Sequence, residues 1–202
     1  MTGHLFIVSG PSQVGKDTIV RRLEQEKSLH LAHIITNTTR PSRRGERNGV
    51  YINFLTEAAF QKLIDNDELL EWAIPYTGLG AKYGTPKKPV LDALGQGRNV
   101  ILNIEVQGAR QIKAKIPQAV LIFITAESAA EVKRRIFASP KMTLQQKTYR
   151  WQRAQIELKA KKIYTHVIIN RRNQLEKTIS EVQHLIKHHL ASPSHSAKPP
   201  HL

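Results

Sequence analysis

The clearest chemical pattern in this chain lies near its N-terminus, where two glycines and a lysine have the spacing of a known motif. The segment reads Gly10-Pro11-Ser12-Gln13-Val14-Gly15-Lys16-Asp17-Thr18 and contains the G-x-x-x-x-G-K core of a phosphate-binding loop. Glycines let the backbone curl so that successive N–H groups point at phosphate oxygens. A helix that follows turns its positive end toward the same anion. The pattern predicts a site for a nucleoside triphosphate, with Lys16 at the outer phosphates.

The position after Lys16 departs from this motif. Asp17 stands where a Ser or Thr normally contacts Mg²⁺, and Thr18 follows it and could supply the hydroxyl. An acid suits a helix N-terminus, but it adds a negative charge beside phosphates. Two interpretations stay open: Asp17 faces the metal, through a water molecule, or it turns outward as a helix-start residue.

The elements around the loop have the types that phosphate binding requires. Leu5–Val8 is a short apolar run typical of a buried strand, and Asp17–Glu26 carries apolar residues at helical spacing. Further buried strands are predicted at Asn99–Ile104, Ala119–Ile124 and Tyr164–Ile169, and a short one at Tyr51–Leu55. Helices are predicted at Glu57–Asn66, Gly108–Lys115, Ser128–Phe137, Leu144–Ile163 and Leu175–Leu190. Strands that alternate with helices indicate an α/β fold with a parallel sheet.

A second set of motifs follows the loop in the chain. It begins with Thr38-Thr39-Arg40-Pro41-Ser42-Arg43-Arg44-Gly45-Glu46 and continues with Asn48-Gly49, Phe54, Glu71-Trp72-Ala73, Tyr83-Gly84-Thr85 and Asn103-Ile104-Glu105-Val106-Gln107-Gly108. In this order, and together with Gly10–Thr18, these motifs resemble the guanylate kinase family over roughly residues 4–190. Several separated motifs in one order are far more specific than any one of them.

The resemblance implies a P-loop NTPase-type sheet core flanked by helices, formed by about residues 1–35 and 86–190 of a single domain. It also implies a small GMP-binding lobe at about 36–85 and a mobile lid at about 135–150, and we expect a disordered tail at 191–202. The implied reaction is Mg²⁺-dependent transfer from ATP to GMP, giving ADP and GDP, and we expect a cytoplasmic enzyme of purine nucleotide metabolism.

The resemblance also assigns roles to individual residues. ATP binding falls to the loop, Gly10 to Thr18, and to Asn170. GMP binding falls to Thr36, Arg40, Arg43, Glu71, Tyr83, Thr85 and Asn103. The predicted catalytic group is Lys16, Arg40, Arg135 and Arg150, and the residues that could hold Mg²⁺ are Asp17, Thr18 and Glu105. Glu105 at a strand end could equally be an acid without a metal role.

Elementary chemistry agrees with the acceptor assignment. Paired arginine forks satisfy the planar oxygens of a nucleoside monophosphate. Guanine offers two adjacent donors, its ring N–H and its exocyclic amine, and one carboxylate such as Glu71 can accept both. Adenine lacks that pair and would leave a buried carboxylate unsatisfied, which costs several kcal/mol.

Four features depart from the family pattern. Ile52 stands where the family usually has a phosphate-binding Tyr, and Asn103 replaces an Asp that helps recognise the base or ribose. The segment Phe137-Ala138-Ser139-Pro140-Lys141 replaces the usual lid stretch, and three extra residues lie between Trp72 and Tyr83. We expect these changes to affect the rate and the acceptor more than the fold.

Composition leaves alternatives of different classes. The 202 residues carry 31 Lys and Arg against 16 Asp and Glu, a formal charge of +15, and no cysteine. That charge would suit a nucleic-acid binder, but no aromatic-rich strand accompanies it, which disfavours a nucleic-acid partner. No apolar run is long enough for a membrane partner. The histidines His184, His188 and His189 include an i, i+4 pair, but no strong third ligand lies nearby in the sequence. No structural metal is therefore expected.

Two further alternatives use the same scaffold. A kinase for a phosphorylated sugar such as ribose 1,5-bisphosphate fits Asp17 and Ile52, but Glu71 would then have no guanine edge to bind. A non-catalytic guanylate-kinase-like module that binds proteins is disfavoured by the intact Lys16.

Overall fold

The computed structural model describes residues 3–74, 80–140 and 142–191. Its main sheet is fully parallel, with five strands in the order β2-β7-β1-β8-β9. These strands are β1 (Leu5–Ser9), β2 (Leu31–Ala32), β7 (Asn99–Asn103), β8 (Val120–Thr125) and β9 (His166–Ile169). The parallel sheet flanked by helices confirms the predicted fold class, and β2 is a strand that the apolar pattern did not predict.

The second sheet is smaller and mixed, with the order β4-β3-β6-β5. Its strands are β3 (Thr36–Thr38), β4 (Ile52–Phe54), β5 (Leu69–Ala73) and β6 (Tyr83–Pro86). β3 and β4 are parallel, whereas β6 runs antiparallel to both β3 and β5. All four strands fall within residues 36–86, where the sequence predicts the acceptor lobe.

Seven α-helices are found within the described residues. They are α1 (Lys16–Glu24), α2 (Glu57–Asp65), α3 (Lys87–Gly95), α4 (Val106–Lys115), α5 (Ala129–Phe137), α6 (Leu144–Ala160) and α7 (Leu175–Ala191), with 3₁₀ turns at Lys27–Leu29 and Lys161–Ile163. Among helices of the described residues, none is long and apolar enough to cross a membrane.

The main sheet is buried on both faces, because alternate residues of each strand enter different apolar clusters. Phe6 and Val8 of β1 pack with residues of α1, α5 and α7 such as Ile19, Ile136 and Val182. Leu5 and Ile7 pack on the other side with residues of α3 and α4, including Val90 and Ile112. A strand covered on both faces reads as a continuous apolar run, which is why β1, β7 and β8 could be predicted.

The elements that the sequence did not predict are β2, β3, β5, β6 and α3. Glu71 lies in the middle of β5 and is buried, so it interrupts the apolar pattern of that strand. Pro89 lies in the first turn of α3, a position that tolerates proline although it looks like a helix breaker in sequence. Predicted helix ends differ from the observed ends by up to three residues, as at α6. Residues 192–202 of the expected tail, 75–79 and Lys141 lie outside the described residues.

Candidate functional site

A cavity of about 520 Å³ lies where the phosphate loop faces the second sheet. This volume is in the range of small-molecule sites. Most of the predicted site residues line it: Gly10, Ser12, Gln13, Gly15, Lys16, Asp17, Thr18, Thr36, Arg43, Glu71, Tyr83, Thr85, Asn103, Glu105 and Arg150. Pro11, Val14, Arg40, Arg135 and Asn170 are not among its described lining residues. The fold therefore brings the phosphate-loop motif and the carboxylate of Glu71 to one space.

The phosphate loop adopts the curled backbone that its glycines predict. Gly10 has φ +142° and Gly15 has φ +93°. A Cβ at Gly10 would lie 1.9 Å from the carbonyl oxygen of Ile124, so no other residue fits there. Gln13 has φ +67°, in the left-handed region, which is unfavourable for residues other than glycine. The loop thus carries one strained non-glycine residue.

Lys16 is bound to the start of its own loop. Its Nζ donates to the carbonyl oxygens of Gly10 at 2.5 Å and Pro11 at 2.8 Å. Burial lowers the pKa of this ammonium group, while the nearby carboxylates of Glu157, Asp17 and Glu105 act in the opposite direction. The charge is therefore held inside the cavity, at the position from which a lysine can reach phosphate oxygens.

Two predicted residues contact the loop from outside. The buried Asn170 donates from Nδ2 to the carbonyl oxygen of Val14 at 2.9 Å and accepts from Thr178 through Oδ1 at 2.9 Å. Because both ends of its amide are used, Asn170 supports the loop from behind. Arg150 of α6 donates from Nη1 to the hydroxyl of Ser12 at 2.8 Å and does line the cavity.

Glu71 is the buried acid of the opposite wall. Its side chain accepts a hydrogen bond from Thr85 Oγ1 at 2.6 Å, and only 4% of the residue is exposed. Burial raises the pKa of this carboxyl to about 7, against the opposing effect of the Thr85 hydrogen bonds. A Cβ at Gly108 of α4 would lie 2.2 Å from Glu71 Oε2, so only glycine leaves room for the carboxyl group there.

Arg40 and Arg43 occupy different environments although the motif presents them as a pair. Arg43 is exposed and lines the cavity. Arg40 is 7% exposed and donates from Nη1 and Nη2 to both carboxylate oxygens of Glu46, at 2.6 and 2.8 Å. Its Nε donates to the Tyr83 hydroxyl at 2.9 Å. Arg40 therefore contacts the cavity through Tyr83, which lines it.

Arg135 also lies away from the cavity in this arrangement. Its Nε donates to Glu131 Oε1 at 2.7 Å, and its Nη2 lies 3.5 Å from Glu127 Oε2. Both acids are close to Arg135 in sequence, so their pairing with it is local to α5 and its N-terminus.

Sequence reasoning missed two charged lining residues, Arg153 and Glu157 of α6. Glu157 is 5% exposed, and burial beside Glu105 raises the pKa of its carboxyl to about 8. The two residues lie three and seven positions after Arg150, on the same helical face. This spacing is the signal that could have identified them.

The donor atoms beside Lys16 suit a hard divalent cation. Thr18 is exposed and offers a hydroxyl. Glu105 Oε2 is buried and, among the described residues, has no hydrogen-bond partner, although it forms an ion pair with Arg153 Nη2 at 3.6 Å. Oxygen donors of this kind are the ligands that Mg²⁺ takes, together with water and phosphate. Thr18 and Glu105 therefore fit the predicted metal, and Asp17 lies beside them with one oxygen bonded to Asn103.

Comparison with known proteins agrees with this geometry. The family model described as guanylate kinase matches residues 2–189. The chain belongs to the guanylate kinase family. It is 41% identical over 184 residues to a guanylate kinase of Synechococcus sp. (strain JA-3-3Ab), covering 91% of this chain and 82% of that protein. A guanylate kinase of Syntrophomonas wolfei is 37% identical over 185 residues, with 91% of each chain covered.

A solved structure is similar along most of the chain. The crystal structure of guanylate kinase from Anaplasma phagocytophilum has a TM-score of 0.75 and 25% identity, and covers 94% of this chain and 87% of that one. Guanylate kinases are nucleotide kinases, and these relatives together show that the chain is an enzyme of this kind. The assignment agrees with a cavity that is lined by both the phosphate loop and the buried Glu71.

Proposed function

We propose that this enzyme transfers the γ-phosphoryl group of ATP to GMP, giving ADP and GDP. The observation that carries the proposal is the placement of Glu71 in the same cavity as the loop of Lys16. A buried carboxylate next to a phosphate loop matches an acceptor that combines a phosphate with two adjacent hydrogen-bond donors. Among the common purine monophosphates, GMP has this combination on its base edge.

On the donor side, the loop backbone and Lys16 would bind the phosphates of ATP. The ammonium group would exchange its contacts with the carbonyl oxygens of Gly10 and Pro11 for contacts with phosphate oxygens. This exchange is favourable because a buried ammonium group gains more from an anion than from two neutral carbonyls. Thr18 and Glu105 would hold Mg²⁺, which neutralises phosphate charge when bound.

On the acceptor side, Arg43 and Tyr83 would bind the phosphate of GMP. Arg40 would act through Tyr83, whose hydroxyl it already contacts. Glu71 would accept from the guanine ring N–H and amine, with Thr85 holding its carboxyl group in place and Thr36 completing the base pocket. The base would thus contact residues of three strands, Thr36 of β3, Glu71 of β5 and Thr85 of β6, and the phosphate would contact Tyr83 of β6 and the exposed Arg43.

The reaction requires alignment and charge stabilisation more than covalent participation of the protein. A phosphate oxygen of GMP forms the new bond to the γ-phosphorus, and the bond from that phosphorus to the oxygen bridging to the β-phosphate breaks. Arg150, held at the loop by Ser12, would stabilise charge on the transferring group. Arg135 would join it when residues 135–150 close over the site and exclude water.

The direct test measures ADP release and nucleotide products with GMP, dGMP, AMP and ribose 1,5-bisphosphate as acceptors. We expect GDP as product from GMP, and a kcat/KM for AMP at least about 100-fold lower, because AMP leaves Glu71 without its donors. Chelation of Mg²⁺ should abolish turnover. Preference for ribose 1,5-bisphosphate, or ADP release that does not depend on any acceptor, would contradict the proposal.

A further inference from the structure

A hydrogen bond joins two cavity-lining residues of the main sheet and its first helix, Asn103 and Asp17. Asn103, the last residue of β7, donates from Nδ2 to Oδ1 of Asp17, the second residue of α1, at 2.5 Å. The two residues are 86 positions apart in the chain. β7 lies beside β1, so Asn103 is level with Val8, just before the phosphate loop begins. Both side chains are exposed to the cavity that they line.

The direction of this hydrogen bond determines which atom Asn103 shows to the cavity. The oxygen and nitrogen of an asparagine amide are similar in shape, so its orientation follows from its partners. An ionised carboxylate can only accept hydrogen bonds, so the NH₂ group must face Asp17. The planar amide then holds its Oδ1 away from Asp17, and this oxygen accepts no hydrogen bond from any described residue.

The two residues that meet here each depart from an expected pattern: Asp17 departs from the phosphate-loop motif, and Asn103 departs from the family pattern. Position 17 carries an acid where a hydroxyl residue is usual, and position 103 carries an amide where an acid is usual. An aspartate at position 103 would present an acceptor oxygen whichever way its planar group turned. An asparagine presents one only if a partner holds its NH₂ group elsewhere, and Asp17 does so.

We propose that Asp17 is a positioning residue for acceptor binding: it orients Asn103 so that the amide oxygen accepts a hydrogen bond from an N–H or O–H group of the bound acceptor. The two side chains then act as one unit, in which Asn103 contacts the acceptor and Asp17 acts through Asn103. This inference rests on the proposed function in one respect, namely that the acceptor is GMP.

The hypothesis predicts that the effects of changing the two residues are not additive. Asp17→Ser leaves Asn103 free to turn its NH₂ group toward the donors of GMP. Asn103→Asp places two carboxylates in one contact. The double variant has neither problem, because an aspartate at 103 needs no orienting partner. A residue that only supports the fold would change stability without this pattern of rescue.

The test is a double-mutant cycle in the full-length protein, with GMP and ATP affinities measured separately by calorimetry. We expect each single variant to weaken GMP binding by about fivefold, as for loss of one hydrogen bond. The double variant should return to within about twofold of the unmodified protein.

Gln61 and Asp65 form a matched control, since they share an exposed amide-to-carboxylate hydrogen bond of 2.9 Å outside the cavity lining. Asp65→Ser should leave GMP affinity unchanged.

The outcomes separate this inference from the proposed function. GMP binding by the unmodified protein with additive losses in the double variant would overturn the inference alone. So would a loss in the single variants that appears only in ATP affinity, since Asp17 would then act on the donor. Failure of the unmodified, folded protein to bind GMP at all would overturn both.

Discussion

The two sides of the cavity are built in different ways. The donor side is one continuous segment, Gly10 to Lys16, whose conformation depends on positive φ angles at Gly10 and Gly15. The acceptor side is a set of side chains from separate strands, with Glu71 on β5 and Tyr83 and Thr85 on β6. The first is therefore defined by local backbone geometry, and the second by how β5 and β6 pair and how α4 packs on β5.

This difference determines how each side should respond to substitution. A backbone site depends on few side chains, so removing its one lysine should affect catalysis strongly and the fold little. A side-chain site divides its function among several residues, each of which also contributes to folding. The predictions below test that contrast.

The largest effect is expected for Lys16→Met, because this substitution removes the only described lysine that lines the cavity. Turnover should fall by about 10²- to 10³-fold or more, as for loss of one preorganised donor at a site of developing charge. The thermal unfolding midpoint should change little, since methionine fills a similar volume. Steady-state kinetics and calorimetry check both.

Lys113→Met is the matched control: Nζ of Lys113 also donates to two backbone carbonyl oxygens, at 2.5 and 2.9 Å, away from the cavity lining. Near-normal turnover of the Lys16 variant would contradict the assignment.

Glu71→Gln should act on the acceptor alone. The glutamine can still accept from Thr85, but its NH₂ group would oppose the donors of guanine. We expect the KM for GMP to rise by about 10- to 100-fold with a smaller change in kcat, which corresponds to about 1.5–3 kcal/mol. The KM for ATP should not change. Glu68→Gln serves as the control, because Glu68 is exposed and bonds Asn66 on the surface. An equal loss of ATP binding would mean that Glu71 supports the whole cavity.

The contrast between the two sides also explains what the sequence could and could not predict. The loop was predictable because its residues are adjacent and follow a buried strand. Arg40 and Arg43 look equivalent in sequence, and only the folded chain shows that Glu46 binds Arg40 while Arg43 lines the cavity. Asn170 directly follows a strand, where a ligand-binding residue is often found. In the folded chain its amide instead forms hydrogen bonds within the protein, with Thr178 of α7 and the backbone of Val14 in the loop.

Tertiary contacts account for the missed elements as well. The strand β5 was not predicted because Glu71 interrupts its apolar pattern. The free-energy cost of burying this acid is offset by a hydrogen bond from Thr85, fourteen residues away. Arg153 and Glu157 lie in none of the sequence motifs, and only their helical spacing from Arg150 connects them to the site. For β5 the missing information was a contact between distant segments, whereas for Arg153 and Glu157 it was the spacing within one helix.

The pH dependence of acceptor binding should reflect the buried carboxyl of Glu71. Its pKa of about 7 means that the ionised fraction rises from about a tenth at pH 6 to about nine tenths at pH 8. Because guanine requires the ionised form, kcat/KM for GMP should rise by up to about tenfold across this range. The Glu71→Gln variant should lack this step and keep only the titration of GMP itself. An identical pH profile in both proteins would assign the titration to another group.

The same pKa has the opposite consequence for stability. Between pH 4.5 and about 7 the folded protein keeps a proton on Glu71 that the unfolded chain has lost. The free energy of unfolding should therefore fall as the pH rises through this window, and Glu71→Gln should reduce that fall. Denaturant titrations at pH 5 and pH 7.5 measure the difference.

A smaller effect is expected for Glu46→Gln, which removes the charge of the carboxylate that pairs with Arg40. The Arg40 guanidinium holds the pKa of the Glu46 carboxyl at about 2, so the pair stays ionised at neutral pH. Glu46 is partly exposed, so the loss of stability should be about 1 kcal/mol, below that for a fully buried pair. The KM for GMP should rise a few-fold because Tyr83 loses a firmly held partner. Glu176→Gln breaks a similar two-bond contact with Arg22 on the surface and is the control. No change in KM would mean that Arg40 and Tyr83 do not act on the acceptor.

The smallest effect concerns Gln13, which has a left-handed backbone conformation within the loop. Glycine at this position would relieve about 1–2 kcal/mol of strain but cost about 0.5–1 kcal/mol in the entropy of the unfolded chain. Gln13→Gly should therefore stabilise the protein by only about 0.5 kcal/mol, measured by denaturant titration. His30→Gly is the matched control, because His30 also has a positive φ, of 49°, outside the loop. If the donor side depends on backbone conformation, Gln13→Gly should also change ATP affinity, whereas His30→Gly should change stability alone. Equal ATP affinities in both variants would mean that the Gln13 conformation does not matter for phosphate binding.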